Sequence, residues 1–345
     1  MNIRKIFGVL MMSVLMTSSL AYGADAAEKP QFKIRWLLAH EPARVFERAA
    51  KQFKAEVEKN SGGRIAVEVL TPSEFTAKYG VNPKFKHGPL LDDVAMLKAG
   101  DIEMTQTYTT SLGRLNPKMW VFDLPFLFRD HAHAKAVIDG EIGQKVMANL
   151  VKNDVRGLAF TYSGGYRVIS SREKPISTVE DFKSMTIRTS TSPIARATFE
   201  KLGAKTVPMS HDEGILKVKE GSLMAAETTI ARYDDAQQKA TPILNDTQHS
   251  LFLTSMVVNE KFYAKLPQDL KDVVYKAARV AAETERQDSL KDESDLRSAF
   301  ATNGTKVVAM PKAEVEKMRA LTKPVYKQFH SMLGADLIRS IEQAQ

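Results

Sequence analysis

Residues 31–70 read QFKIRWLLAHEPARVFERAAKQFKAEVEKNSGGRIAVEVL. Gln31–Ala39 is an apolar-rich run that predicts a strand. From Pro42 to Asn60, Phe46, Ala49, Ala50, Phe53 and Val57 recur at helical spacing, and Ser61-Gly62-Gly63 stops the helix. Arg64–Leu70 alternates apolar and polar residues as a half-buried strand does. Beyond it, Tyr79–Pro89 is polar and bounded by Gly and Pro, so it reads as a loop. Leu90–Lys98 predicts a helix ended by Gly100, and Ile102–Tyr108 a third strand. Strand–helix–strand–helix–strand is the signature of an α/β domain with a largely parallel sheet.

A second α/β set follows. Val155–Tyr162 and Arg167–Ser171 read as two strands separated by a turn at Ser163-Gly164-Gly165. Further strands are predicted at Thr186–Thr189, Thr206–Met209, Ala225–Thr229 and Leu251–Asn259, with helices at Pro193–Leu202, His211–Lys219 and Ala231–Ala240. Pro267–Thr302 holds no Gly and, after its first residue, no Pro, which predicts one helix about 50 Å long. The expected organisation is a leader over residues 1–23, a first lobe over 24–155 and a second lobe over 156–259. Residues 260–345 would supply the long helix, a late strand at Lys306–Met310 returning to the first lobe, and terminal helices lying across both. A ligand held by two such lobes sits at strand ends and loop tips.

Composition bounds the function. The chain has 345 residues, 43% hydrophobic and 26% charged, which is ordinary for a globular protein. It has no cysteine, which excludes disulfides, thiol catalysis and cysteine-ligated metal sites. Arg4 and Lys5, the uncharged run Ile6–Met16 and the small-residue site Ala21-Tyr22-Gly23 form a secretory leader, too short to span a bilayer. Its removal leaves 47 basic against 41 acidic residues. The basic residues are dispersed among acids, so no nucleic-acid partner is expected.

Catalytic patterns are scarce. There is no nucleophile elbow, phosphate loop, dinucleotide fingerprint or zinc-protease motif. His131 and His133 stand two apart on a predicted helix and so face different ways, and no metal is expected. Arginines carry more information. Arg188 lies inside the apolar strand Thr186-Ile187-Arg188-Thr189, where an unpaired charge is costly. Arg167 opens another strand after Gly164-Gly165-Tyr166. Both suit an anionic ligand, since a guanidinium meets a carboxylate with two parallel bonds. Equally, both suit structural ion pairs with Glu173, Asp181 or Glu227. Glu227 itself reads as a residue that pairs with a ligand-holding arginine.

The order of several short motifs resembles the solute-binding subunit of tripartite ATP-independent periplasmic (TRAP) transporters, of the dicarboxylate-binding-protein type. These are Ser61-Gly62-Gly63-Arg64-Ile65-Ala66-Val67-Glu68-Val69, Leu97-Lys98-Ala99-Gly100-Asp101-Ile102-Glu103-Met104 and Asp123-Leu124-Pro125-Phe126-Leu127-Phe128. Gly165-Tyr166-Arg167, Ile187-Arg188, Leu202-Gly203-Ala204, Val207-Pro208-Met209 and Glu213 complete the series. The resemblance implies a two-lobed periplasmic-binding-protein fold with a ligand cleft between the lobes and a long C-terminal helix spanning both. It implies a periplasmic, monomeric, non-enzymatic protein without cofactor that delivers a small carboxylate to membrane permease subunits. It places the carboxylate clamp on Arg188, with Arg167 second. Glu227, Thr228 and His211 are expected beside the clamp, and His40, Glu41, Thr109 and Thr110 on the first lobe. The segment Leu223-Met224-Ala225-Ala226-Glu227 lacks the family's usual Asp-Gly, and Thr228 replaces a common Asn. Dicarboxylates, sugar acids and aromatic acids all remain open as ligands.

Overall fold

The computed structural model describes residues 29–345 except Pro42, Gly88 and Pro89. The leader expected over residues 1–23 lies outside the described residues. Strand β1 (Phe32–Leu38), helix α1 (Arg44–Asn60) and β2 (Ile65–Leu70) form as the alternation and helical spacing require. The α1 stripe of Phe46, Ala49, Ala50, Phe53 and Val57 is buried. Helix α2 (Pro72–Tyr79) is held by a Thr71–Glu74 capping box. The expected loop before residue 90 contains a small hairpin, β3 (Lys86–His87) with β4 (Leu90–Leu91). Asp92 caps α3 (Asp93–Ala99), so this helix starts later than the apolar run suggests. Strand β5 (Met104–Tyr108) leads into α4 (Thr109–Leu112), and α5 (His131–Asp139) and α6 (Glu141–Ala148) follow.

Strand β6 (Val155–Ser171) is one strand of 17 residues rather than two. Gly164 and Gly165 both have positive φ and bend the strand without reversing it. After it come β7 (Thr186–Thr189), α7 (Pro193–Lys201), β8 (Lys205–Pro208), α8 (His211–Lys219), β9 (Ala225–Thr229), α9 (Asp235–Ala240), β10 (Ile243–Asp246) and β11 (Leu251–Asn259). Helix α10 (Glu260–Lys265) precedes α11 (Gln268–Asn303), which has 36 residues and is capped by left-handed Gly304. Strand β12 (Lys306–Ala309) and α12 (Lys312–Gln328) follow. Among the described residues no helix is long and apolar enough to cross a membrane.

The strands run in the order β2-β1-β5-β11-β6-β9-β7-β8, with β10 and β12 attached beside β6. The outer pairs are parallel, as the βαβ pattern demands. Around the centre, β11 is antiparallel to both β5 and β6, so the sheet is mixed rather than largely parallel. The cause is that β11 enters from the second set and runs back through the first. Strand β12 pairs with β10, which pairs with the C-terminal part of β6. The late strand therefore joins the second half of the sheet, not the first. Trp36, Phe53, Leu270 and Val274 fill one face of the first half, beneath α1 and α11. Leu37, Leu97, Phe122 and Phe160 fill the other face. Ile169, Ile187 and Phe199 anchor the core of the second half.

Helix α11, about 54 Å long at 1.5 Å per residue, crosses β6 where the two halves meet. Its Glu285 accepts the Tyr162 N–H at 2.8 Å and its Ser289 hydroxyl accepts the Gly164 N–H at 3.3 Å. A Cβ at Gly164 would stand 2.6 Å from the Ala231 Cβ and 2.7 Å from the Thr229 hydroxyl. Gly164→Ala should therefore cost about 2–3 kcal/mol from forced positive φ and overpacking together. Gly62 also has positive φ but faces open space, so Gly62→Ala should cost about 1 kcal/mol. Urea unfolding of both variants checks the difference, and equal costs would refute the crowding at the bend.

Candidate functional site

Between the halves lies a cleft of about 370 Å³. Ala39, His40, Leu90, Leu91, Tyr108, Thr110 and Arg114 line it from the first half. Arg167, Arg188, Met209, His211, Glu227, Thr228 and Arg232 line it from the second. Strand ends supply most of these side chains: β5 ends at Tyr108, β7 carries Arg188, and β9 carries Glu227 and Thr228.

Arg188 is buried at 6% exposure. Its Nε and Nη2 donate to the Met209 carbonyl at 3.0 and 2.6 Å, and its Nη1 donates to the Glu227 carbonyl at 3.0 Å. These bonds orient the guanidinium without neutralising it. Burial pushes its pKa down to about 10, against the pull of Glu227. Gly214 on α8 makes room for this side chain, because a Cβ there would meet the Arg188 Cγ at 2.5 Å.

Arg167 is more deeply placed. Its Nη1 pairs with Glu227 Oε2 at 3.2 Å, and its guanidinium lies 3.5 Å over the Phe252 ring. Its Nη2 is buried and has no hydrogen-bond partner in the structure. Glu227 also accepts the Ser190 N–H at 2.9 Å and faces His249 Nε2 at 3.3 Å. Burial alone would raise the Glu227 pKa. Arg167, His249 and the Ser190 N–H outweigh it and hold the carboxyl at about 2. His249 is pushed below its ordinary value by burial, so it meets Glu227 as a neutral donor.

On the opposite wall the His40 and Tyr108 rings stack 6.2 Å apart, and Tyr108 stacks on Phe252 at 5.1 Å. The Phe252 ring in turn carries Arg167. Arg232 hydrogen-bonds the Tyr108 hydroxyl across the cleft. His211 is pushed well below its usual pKa by burial and by Arg232, Arg188, His40 and Arg167, and is neutral at pH 7. Burial raises Asp93 to about 6, opposed by the hydrogen bond it accepts from the Val94 N–H.

Of the residues expected in the site, Arg188, Arg167, Glu227, Thr228, His211, His40 and Thr110 come together here. Thr109 and Glu41 do not. Thr109 is fully buried and donates to the Leu253 carbonyl, because it is Tyr108 that faces the cleft. Glu41 accepts the Ser73 N–H and hydroxyl at the start of α2. The expected ion-pair alternatives divide: Glu227 pairs with Arg167, while Arg188 meets only backbone carbonyls among the described residues. Tyr108, Phe252 and Arg232 were not anticipated. Tyr108 had a signal, a large polar-tipped ring at the end of a strand that enters an inter-lobe cleft. His131 and His133 point to Tyr162 and the Ile341 carbonyl, and no group of three metal-type ligands is found among the described residues.

A family model described as "Bacterial extracellular solute-binding protein, family 7" matches residues 39–332. The C4-dicarboxylate-binding protein DctB of Bacillus subtilis is 24% identical, over 85% of this chain and 81% of its own. A TRAP periplasmic solute-binding protein from Xanthobacter autotrophicus Py2, solved with bound β-D-galacturonate, is 26% identical with a TM-score of 0.78. That match covers 90% of this chain and all of the other. A homologous structure from Sulfurospirillum deleyianum DSM 6946 with bound succinate has a TM-score of 0.78 at 23% identity. It covers 92% of this chain and all of the other.

Glu227→Gln leaves Arg167 buried and unpaired, so it should cost about 3–5 kcal/mol at pH 7. The carboxyl is held below its ordinary value, so its contribution is present above about pH 4.5 and is lost as pH falls towards 2. The gap between wild type and variant should therefore narrow by about 1 kcal/mol at pH 3.5. Urea unfolding at both pH values checks this, and a gap independent of pH would refute the ion pair.

Proposed function

The chain belongs to bacterial extracellular solute-binding protein family 7, and we propose that it captures a small organic acid by holding its carboxylate on Arg188 and Arg167. Members of this family are the binding subunits of TRAP transporters, work in the periplasm with membrane permease subunits, and are not enzymes. The observation that carries the ligand reading is Arg188: a guanidinium brought into a buried cleft and met only by backbone carbonyls among the described residues. A ligand carboxylate supplies the missing charge and accepts the donors that remain. Arg167, already balanced by Glu227, adds a second charge-assisted bond.

Residues 24–155 and 156–259 act as the two lobes in this reading, with β6, β11 and α11 joining them. His40, Tyr108 and Thr110 meet the far end of the ligand, whose chemistry the first lobe selects. Succinate and galacturonate are the natural probes, since proteins of similar fold hold them. The protein is exported by cleavage after Gly23 and works as a monomer, which mass spectrometry of the exported chain and light scattering check.

Unfolded and refolded protein, freed of any carried acid, should be melted against a panel of dicarboxylates, sugar acids and aromatic acids. An acid present at a hundred times its Kd adds about 2.7 kcal/mol to the folded state. In Arg188→Lys the hit should weaken at least thirtyfold, about 2 kcal/mol, because lysine cannot reproduce the fork. Unchanged affinity in a variant that melts normally would sink the clamp assignment.

A further inference from the structure

Beside the cleft, and sharing Arg167, Ser190 and Glu227 with it, lies a small cavity of about 10 Å³. Asp123, Arg167, Ser190, Glu227, His249 and Ser250 line it. Three buried polar atoms at this place have no hydrogen-bond partner in the structure: Asp123 Oδ2, Arg167 Nη2 and Ser190 Oγ. Their residues are 8%, 3% and 7% exposed. Such atoms are costly if left unmet. A cavity of this size admits one water molecule, and an acceptor, a cationic donor and a hydroxyl are the partners such a water needs.

We propose that this cavity binds a single water that links Asp123 to Arg167, and that Asp123 thereby positions the clamp and couples carboxylate binding to uptake of a proton. The coupling rests on the reading of Arg167 as a carboxylate ligand; the water does not. Asp123 closes the 3-10 turn Pro117–Asp123, which α7 packs against. Ser192, the cap of α7, favours the ionised form of its carboxyl. The charged and titratable groups that face it are Arg167 from β6, Glu227 from β9 and His249 ahead of β11. From α7 the cavity receives only Ala195 and Thr198.

The sign of the coupling follows from the charges. In the empty protein Arg167 is shared between Glu227 and, through the water, Asp123. Burial raises the Asp123 pKa to about 7, with Ser192 and Arg167 opposing and Glu227 reinforcing. A ligand carboxylate arriving on Arg167 adds a negative charge and draws the guanidinium's field away. Ionised Asp123 then becomes less favourable, and the complex takes up a proton. Affinity therefore falls as pH rises through the range around 7. His211 titrates well below its ordinary value and so lies outside this window.

Three measurements on the full mature chain test this. A high-resolution crystal structure of the empty protein should show one water within hydrogen-bond reach of Asp123 and Arg167; an empty cavity overturns the water site. Titration calorimetry with succinate or galacturonate should show Kd rising roughly five- to tenfold from pH 6 to pH 8.5, the result of a shift of about one pKa unit. In Asp123→Asn that rise should vanish. A flat wild-type profile, or a slope that survives in the variant, overturns the proton coupling. If Asp123→Asn fails to fold, wild-type titrations at pH 7 in buffers of different ionisation enthalpy decide instead: uptake of up to about half a proton supports the coupling, and none overturns it. If neither acid nor any other in the panel binds, the carboxylate reading has failed, and the crystal structure still decides the water.

Discussion

Everything in the cleft depends on keeping the Arg167 guanidinium charged where bulk solvent does not reach. Burying a lone guanidinium costs several kcal/mol, and at Arg167 the charge is met within the protein. Glu227 meets it at 3.2 Å, and the Phe252 ring covers its flat face at 3.5 Å. Glu227 in turn is held by Ser190 and His249, so the pair is fixed from both ends. The result is a cation whose position is set before any ligand arrives. Preorganisation of this kind removes the ordering cost that a flexible surface arginine would carry into binding.

The same economy governs the backbone. Arg167 lies two residues beyond the bend of β6, which runs through both halves, and β11 accompanies it with a bulge at Leu251–Leu253. Helix α11 then crosses the bend and takes hydrogen bonds from Tyr162 and Gly164. Arg167 thus sits a few residues from the joint, where small rotations of the halves move the cleft walls most and the clamp least.

How much of this was legible in the sequence differs by element. The 36-residue α11 was readable to within a residue or two, because helix formers run unbroken between Pro267 and Gly304. Helix α1 was readable from its apolar stripe. The single strand β6 was not, since Gly164-Gly165 marks a bend and a reversal alike, and only the pairing with β11 separates them. The place of β12 was hidden for a similar reason: four residues carry no information about which edge they will join. In the site, Arg188 stood out because a charge inside an apolar strand demands a partner, and Arg167 because it opens a strand just after Gly164-Gly165. Thr109 and Glu41 were misplaced because adjacent positions at a strand end differ only by which way the chain turns. Phe252 was invisible, since a ring in a buried strand is core by default, and here one face of it serves a cation.

The two walls of the cleft divide the work of recognition. The second half presents guanidiniums fixed by carbonyls and a buried carboxylate, a set with little freedom to adapt. As the proposed carboxylate clamp, it has little with which to tell one acid from another. The first half presents rings and aliphatic side chains, His40, Tyr108, Leu90 and Leu91, together with the polar and charged groups of Asp92, Asp93, Thr110, Ser111 and Arg114. Its contacts change with the remainder of the ligand. Tyr108 joins the two walls: it stacks on Phe252 beneath the clamp and hydrogen-bonds Arg232 on the other side of the cleft. A ligand too bulky to lie beside the Tyr108 ring would break that bridge and leave the Arg232 guanidinium without its phenol partner. In the proposed reading, selection by size resides in the same contact that links the walls, while affinity for the acid group is set behind it.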